Sequence, residues 1–294
     1  MLSNVTRRNW FRSCLLATTP LAGFVSKLGA ANQKTSAGST GKPLVLDYDV
    51  VVCGGGAGGV CAAVAAARLG QRVLLIERYG FLGGMATAGL VQNFMSFRTG
   101  GRQIIMGVFN EILQQLISRG GYNENVEDHR DCAFDAEILK LIEQELCLDS
   151  GVDLLYHALV RDVECKGDTV QRIHLATKGG DIAVNGKTFV DSTGDGDLAS
   201  LSGADYMLGR ESDGLTMPGT MIFEMCNVDE NEINSYVSLG KESRLFEKTT
   251  ELARQNGDFN IPRDYTLVIH KVQKDVVCFN PVFTVRPANK LQNP

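Results

Sequence analysis

The sequence lacks the cysteine patterns that mark metal-binding and thiol-redox proteins. Its eight cysteines include no pair with C-x-x-C spacing, so the local sequence predicts neither a zinc site nor a thioredoxin-like dithiol. Several of the cysteines stand in apolar runs and are expected to be buried, unreactive core residues. Their spacing does not assign any disulfide pair. No metal ligand is therefore predicted.

The sequence also has no large excess of charge and little proline. A net charge of -5 argues against a nucleic-acid-binding surface. The 44% hydrophobic and 21% charged residues are ordinary values for a globular protein and exclude a disordered chain and a coiled-coil rod. Glycine is frequent, with 32 residues against 7 prolines, which favours a fold in which the backbone approaches a ligand closely.

The N-terminal residues 1–31 contain four basic residues and no acidic one. Thr6–Arg12, with the sequence TRRNWFR, resembles a twin-arginine export signal. The apolar stretch Cys14–Val25 is too short and too interrupted to cross a bilayer, which needs roughly 20 apolar residues, so no stable membrane span is expected. Small residues at 29–31 allow cleavage after Ala31. We predict export by the twin-arginine machinery to a periplasmic or extracellular location; a Sec signal, an uncleaved anchor and a chance basic terminus are the alternatives.

A β-α-β pattern follows a short polar segment. Residues 32–46 begin with NQKTSAGSTGKP, which is small, polar and unpatterned, and they are predicted to form a flexible linker. Val50–Val52 is a β-branched apolar run and predicts a buried parallel strand. The small-residue segment Ala57–Leu69 predicts a helix that packs close to the sheet, and Arg72–Ile76 predicts the next strand.

Glycines fill the loop between the first predicted strand and the first predicted helix. Gly54, Gly56 and Gly59 occupy the three fixed positions of G-x-G-x-x-G. In such a loop the first glycine permits the tight turn, the second lets a pyrophosphate approach the backbone, and the third allows the helix to pack closely. Glu77 ends the second strand, at the distance at which an acid binds the hydroxyls of an adenosine ribose. The pattern predicts an adenine dinucleotide site; a purely structural glycine turn is the alternative.

Two later motifs carry a resemblance to a known family. ERYGFLGGMAT covers Glu77–Thr87, and VDSTGDGDLASLSGA covers Val190–Ala204. Together with the glycine motif, they resemble the FAD-dependent oxidoreductases of the glutathione-reductase-like superfamily, akin to the fumarate reductase flavoproteins, over residues 48–285. The resemblance implies an α/β fold: a Rossmann-like FAD-binding domain with a parallel sheet and a strand-rich insertion, then an incomplete substrate-side domain. It places these domains at residues 47–204 and 205–294.

The resemblance also implies which residues bind FAD. The glycine loop would seat the pyrophosphate, Glu77 would hold the adenosine ribose, and Gly83–Thr87 would pass under the ribityl chain and the flavin. Val160 would touch the adenine through its backbone. Asp195 would bind the cofactor or cap the next helix, a cap for which Asp197 is the stronger candidate. The residues implied in cofactor binding are Gly54, Gly55, Gly56, Ala57, Gly58, Gly59, Glu77, Arg78, Gly83, Gly84, Met85, Ala86, Thr87, Val160, Thr193, Gly194 and Asp195.

The implied reaction is hydride transfer between a small-molecule substrate and the flavin, with the electrons returned to an unknown acceptor. No catalytic residue is assigned, because structural or solvent-exposed roles are favoured for every candidate. The candidates are His129, His157, His174, His270, Arg98, Arg102 and Arg210.

Two alternatives to this function remain open. The resembled proteins continue into a second Gly-Asp element that Val285–Pro294 does not contain. The chain could therefore be a catalytically incompetent, truncated FAD-binding fragment. A nicotinamide-dependent dehydrogenase is the second alternative, and the two later motifs disfavour it.

Overall fold

The computed structural model describes residues 44–95, 97–99, 102–124, 132–217, 219–243, 245–260, 264–270, 272–273 and 275–280. Some of the sequence predictions fall outside these residues: the signal at 1–31, linker residues 32–43, His129, the segment 285–294 and the side chain of His270. In the part of the chain that the structure describes, no helix combines the length and the apolar character needed to cross a membrane.

The described chain alternates helices with short strands. The helices are α1 (Ala57–Arg68), α2 (Val108–Ser118), α3 (Ala136–Asp149), α4 (Asp197–Leu201), α5 (Glu230–Ser238) and α6 (Glu247–Gln255), and a 3-10 turn covers Gly84–Ala86. The strands are β1 (Leu44–Cys53), β2 (Val73–Ile76), β3 (Arg98–Thr99), β4 (Arg102–Gln103), β5 (Tyr122–Glu124), β6 (Cys132–Phe134), β7 (Asp153–Leu155), β8 (Ala158–Lys166), β9 (Thr169–Thr177), β10 (Gly180–Asp191), β11 (Phe223–Cys226), β12 (Leu267–His270) and β13 (Val276–Asn280).

The central sheet has the strand order β7-β2-β1-β10-β9-β8. Its first four strands pair in parallel, and β9 and β8 continue it in antiparallel pairing. The long strand β10 joins the two parts, because Gly180–Asn185 pairs with β9 while Ile182–Asp191 pairs with β1. The predicted α/β fold with a parallel sheet and a strand-rich insertion is therefore confirmed.

The start of β1 corrects the predicted linker. The sequence predicts a flexible segment up to residue 46, but residues 44–46 form the first part of β1, where Leu44 pairs with Ile182 and Leu46 pairs with Val184. The partner strand lies far along the chain, and Asp47 and Asp49 interrupt the apolar pattern between Leu46 and Val50. A strand that is completed by such a distant partner leaves little local signal at its beginning.

Both faces of the central sheet are buried at the end of β1, where Val51 and Val52 point to opposite sides. On one side Val52 belongs to a core cluster that includes Val60 of α1 and Leu139 of α3. On the other side Val51 belongs to a second cluster that includes Ile173 of β9. This packing holds the carboxyl end of β1 in place, and with it the glycine loop that follows.

A smaller sheet with the order β11-β13-β12 lies beyond the central sheet in the chain. It contacts the first part of the protein through side chains: Gln92 donates a hydrogen bond from Nε2 to Glu224 Oε1 at 2.8 Å. Cys278, which is buried, donates from Sγ to the backbone oxygen of Leu90 at 3.8 Å. Four of the described cysteines are buried, as the apolar runs predict: Cys53, Cys132, Cys147 and Cys278.

Candidate functional site

Two glycines of the G-x-G-x-x-G loop are required by the protein's own backbone. Gly54 has a φ of +96°, and a Cβ on it would lie 2.5 Å from the backbone oxygen of Ser192. A Cβ on Gly59 would lie only 1.8 Å from the backbone oxygen of Gly54. Both distances are far below a van der Waals contact. Gly54 therefore lets the end of β10 pack beside the loop, and Gly59 lets α1 pack closely on the end of β1, as the motif predicts for its third glycine.

Gly56 has no such internal reason to be glycine. Its φ of -73° suits any residue, and the nearest heavy atom to a Cβ built on it is the Cα of Gly84, at 3.9 Å. The space in front of Gly56 is thus open in the protein itself. A glycine in that position leaves room for a group from outside the chain to reach the backbone.

The first turn of α1 is prepared for an anion. Gly56 is its N-cap residue, no side chain caps the helix, and its first turn contains no acidic residue. By contrast, Asp135 caps α3 by accepting hydrogen bonds from the backbone N–H groups of Glu137 and Ile138. Without a side-chain cap, the N–H groups of the first turn and the positive end of the helix dipole favour a phosphate at the start of α1.

The second motif lies against the first. The backbone N–H of Gly83 donates to the oxygen of Gly55 at 2.8 Å. Gly83 and Gly84 have φ values of +102° and +52°, and a Cβ on Gly84 would lie 3.0 Å from the Cα of Gly56. The structure therefore brings together two motifs that the sequence connected only through their common cofactor.

The other residues of the second motif have different surroundings. Thr87 is buried, and its Oγ1 donates to the backbone oxygen of Leu82 at 2.6 Å. Its hydroxyl therefore stabilises the turn from within. Met85 is 67% exposed, and Ala86 donates its N–H to the oxygen of Gly83 at 3.0 Å.

Glu77 fixes the glycine loop as well as ending β2. The residue is 6% exposed. Its Oε2 accepts from the N–H of Gly55 at 2.7 Å, and its Oε1 accepts from the N–H of Tyr79 at 2.8 Å. Each carboxylate oxygen keeps a second lone pair with which to accept from a ribose hydroxyl. The sequence identified this acid but gave no signal for its bonds to the loop.

Replacement of Glu77 by glutamine is expected to lower the free energy of unfolding of the ligand-free protein by about 1–3 kcal/mol. A glutamine presents one acceptor oxygen and one amino group, so the N–H of Gly55 or of Tyr79 loses its partner. Urea unfolding measures the effect. Glu137→Gln is the control, because the side chain of Glu137 is 76% exposed. Equal stability of wild type and Glu77→Gln would contradict the role assigned to Glu77.

The start of α4 shows that the prediction of Asp197 as its N-cap was wrong. Asp197 is the first residue of α4, and Gly196, with a φ of +69°, is its N-cap residue. The N–H of Asp197 donates to Thr193 Oγ1 at 2.7 Å, and the N–H of Ala199 donates to Asp191 Oδ2 at 2.8 Å. The left-handed turn at Gly196 lets these earlier side chains reach the helix start. Sequence reasoning missed Asp191, whose only signal is an acid at a strand end that precedes a short helix.

The third motif also reaches the glycine loop. The N–H of Ser192 donates to the oxygen of Cys53 at 2.8 Å, and a Cβ on Gly58 would lie 3.8 Å from Ser192 Oγ. Gly194 and Asp195 follow it and are exposed. The end of β10 thus stands beside the loop after β1, because the two strands are neighbours in the sheet.

The remaining candidates contact their own neighbours in the described chain. Arg78 donates to the hydroxyl of Tyr79 at 3.0 Å and lies over its ring. His174 is 2.6 Å from Glu164, and Arg210 is 2.6 Å from Asp213. The contacts of Val160 are those of a strand residue that pairs with Leu175.

Short stretches of this chain are similar to proteins of known function. Nicotine dehydrogenase of Pseudomonas putida strain S16 is 41% identical over 80 residues, which is 27% of this chain and 16% of that protein. Dihydrolipoyl dehydrogenase of Trypanosoma brucei brucei is 52% identical over 42 residues, 14% of this chain and 9% of that protein. The chain therefore spans a small part of the length of these relatives.

Two solved structures share the fold. A geranylgeranyl bacteriochlorophyll reductase-like protein from Thermoplasma acidophilum has a TM-score of 0.51 at 17% identity, over 85% of this chain and 59% of that one. The myxobacterial chondrochloren halogenase CndH, described as FAD-dependent, has a TM-score of 0.50 at 17% identity, over 84% of this chain and 55% of that one. The profile of the family described as FAD dependent oxidoreductase matches residues 49–288. The chain therefore belongs to the FAD dependent oxidoreductase family.

Proposed function

We propose that this chain seats FAD with its diphosphate against Gly56 and the first turn of α1, and that the protein transfers a hydride between a small-molecule substrate and the flavin. The observation that carries the proposal is Gly56. It is a glycine that neither backbone strain nor internal packing requires, at the uncapped start of a helix. A diphosphate explains both features, because it needs close approach to the backbone and free N–H donors.

The roles proposed for the other residues come from the family resemblance. Glu77 would accept from the ribose hydroxyls with its remaining lone pairs. The main chain of Gly83–Thr87 would support the ribityl chain and the flavin, and the backbone of Val160 would touch the adenine. Thr193, Gly194 and Asp195 would lie beside the cofactor at the end of β10. FAD supplies the redox chemistry when bound, while the protein orients it and keeps water out.

The substrate and the electron acceptor are proposed only by class. The chain spans 59% of the reductase-like structure and 16% of nicotine dehydrogenase. A small molecule is proposed as the hydride donor or acceptor, and a separate acceptor would remove the electrons. Cofactor binding is the step on which the proposed reaction depends, so it is tested first.

The first test is the absorbance spectrum of the purified chain after incubation with FAD and gel filtration. We expect a protein-bound flavin band, and we expect heating to release intact FAD. Addition of a substrate under anaerobic conditions would bleach the band. A colourless protein that takes up no FAD but binds NAD(H) would overturn the proposal in favour of a nicotinamide-dependent dehydrogenase. A stable flavin band that no candidate substrate bleaches would favour the non-catalytic fragment.

We also propose that Thr6–Arg12 directs the folded protein through the twin-arginine machinery to the periplasm or the outside of the cell. The twin arginines and the apolar stretch after them support this. Joint replacement of Arg7 and Arg8 by lysine is expected to keep the protein in the cytoplasm, as cell fractionation with an antibody would show. Lys27→Arg, which conserves charge outside the motif, is the control. Export of the double variant at the wild-type level would contradict the proposal.

A further inference from the structure

A buried carboxyl group lies directly beneath the Gly83–Gly84 turn. Glu143 of α3 is 3% exposed, and its Oε2 has no hydrogen-bond partner among the described residues. A Cβ on Gly83 would lie 3.0 Å from that oxygen. The absence of a side chain on Gly83 thus leaves room for the side chain of Thr87, whose Cγ2 is 2.4 Å from the same Cβ position, and for the carboxyl group of Glu143.

The groups around Glu143 do not neutralise a negative charge. Cys61 faces it from α1, and Cys147 lies one turn further along α3. Tyr156 lies just after β7. Burial, together with the nearby Glu143 and Glu77, raises the pKa of its hydroxyl to about 12. Burial raises the pKa of the Cys61 thiol, and it raises that of Cys147 to about 12. All three neighbours are therefore neutral near pH 7.

Burial alone raises the pKa of Glu143, to about 8. Ionisation would place an unpaired carboxylate in the core, which is costly unless the group moves toward water. The Gly83–Gly84 turn lies close to its unpartnered oxygen. Because Gly83 is hydrogen-bonded to Gly55, a shift of the Gly83–Gly84 turn would also move the glycine loop in which the diphosphate is proposed to bind.

We propose that Glu143 is a positioning residue for FAD: its neutral form supports the Gly83–Gly84 turn, and its ionisation weakens FAD binding. This inference rests on the proposed function. The free protein loses the proton of Glu143 as the pH rises through the pKa of that group, and FAD binding then requires the proton to be taken up again. Between about pH 7 and about pH 9, the Kd for FAD is expected to rise about tenfold.

The test measures the Kd for FAD of the full chain by quenching of flavin fluorescence at both pH values. Glu143→Gln keeps the shape of the side chain and removes the ionisation, so its Kd is expected to stay constant while that of wild type rises. The control is Glu145→Gln on the same helix, because Glu145 is exposed and pairs with Arg119 at 2.6 Å. The control is expected to follow wild type. Any effect of pH on FAD itself is common to all three proteins.

The outcomes separate this inference from the proposed function. The same rise of Kd in wild type and in Glu143→Gln, or a constant Kd in wild type, would overturn the role of Glu143 and leave FAD binding standing. Absence of FAD binding at every pH would overturn both. If Glu143→Gln does not fold, Glu143→Met replaces it, since methionine has a similar length and is neutral at every pH. Its Kd is expected to be equally independent of pH.

Discussion

Replacement of Gly56 by alanine is expected to weaken FAD binding by about 100-fold, close to 3 kcal/mol, without loss of stability in the ligand-free protein. The new methyl group meets only the Cα of Gly84, at 3.9 Å, and the φ of -73° suits alanine. The protein therefore has no reason to rearrange. A diphosphate in contact with the Gly56 backbone would be pushed away from the N–H groups of α1, on which its binding depends.

Equilibrium dialysis with FAD and urea unfolding of the same samples measure the two halves of this prediction. Gly179→Ala is the control, because Gly179 lies in the turn between β9 and β10 and a Cβ there meets only Thr177 Oγ1, at 3.8 Å. This control is expected to bind FAD as wild type does. Undiminished FAD binding by Gly56→Ala would mean that the space in front of Gly56 is not the diphosphate seat.

Replacement of Gly59 by alanine, by contrast, is expected to destabilise the fold itself. Gly59→Ala places a Cβ 1.8 Å from the backbone oxygen of Gly54, which no side-chain rotation relieves. Either α1 or the end of β1 must move, although both belong to the buried core. We expect the free energy of unfolding to fall by about 3 kcal/mol or more.

Urea unfolding of Gly59→Ala beside Gly56→Ala tests this contrast between two glycines of one motif. The midpoint of Gly59→Ala should fall sharply, while that of Gly56→Ala should match wild type. Equal midpoints for Gly59→Ala and wild type would show that α1 does not pack on β1 as closely as the structure has it. The pair of variants thus separates a glycine that serves the fold from one that serves the ligand.

The glycine loop could be predicted from the sequence because its requirements are local. Strand, turn and helix follow one another within a few residues, and each glycine has a fixed place in that order. The motif also predicts a separate reason for each of the three glycines. The atoms that the glycines meet could not be predicted, because Ser192 and Gly84 reach the loop only after the sheet and the second turn have formed.

The features that the sequence did not predict depend on distant partners. The first residues of β1 are fixed by β10, and the cap of α4 depends on the left-handed turn at Gly196. Glu143 did leave a signal, because it stands at helical spacing from Leu139 and Cys147, which are both buried. A charged residue in such an apolar stripe predicts a buried polar side chain.

The central claim is that the start of α1 seats the diphosphate of FAD. A crystal structure of the chain grown with FAD tests this claim most directly. The account predicts that both phosphate groups lie within contact distance of the Gly56 backbone and accept hydrogen bonds from the first-turn N–H groups of α1, with the ribose hydroxyls at Glu77. A structure in which FAD lies elsewhere, with the space before Gly56 filled by protein side chains, would contradict it.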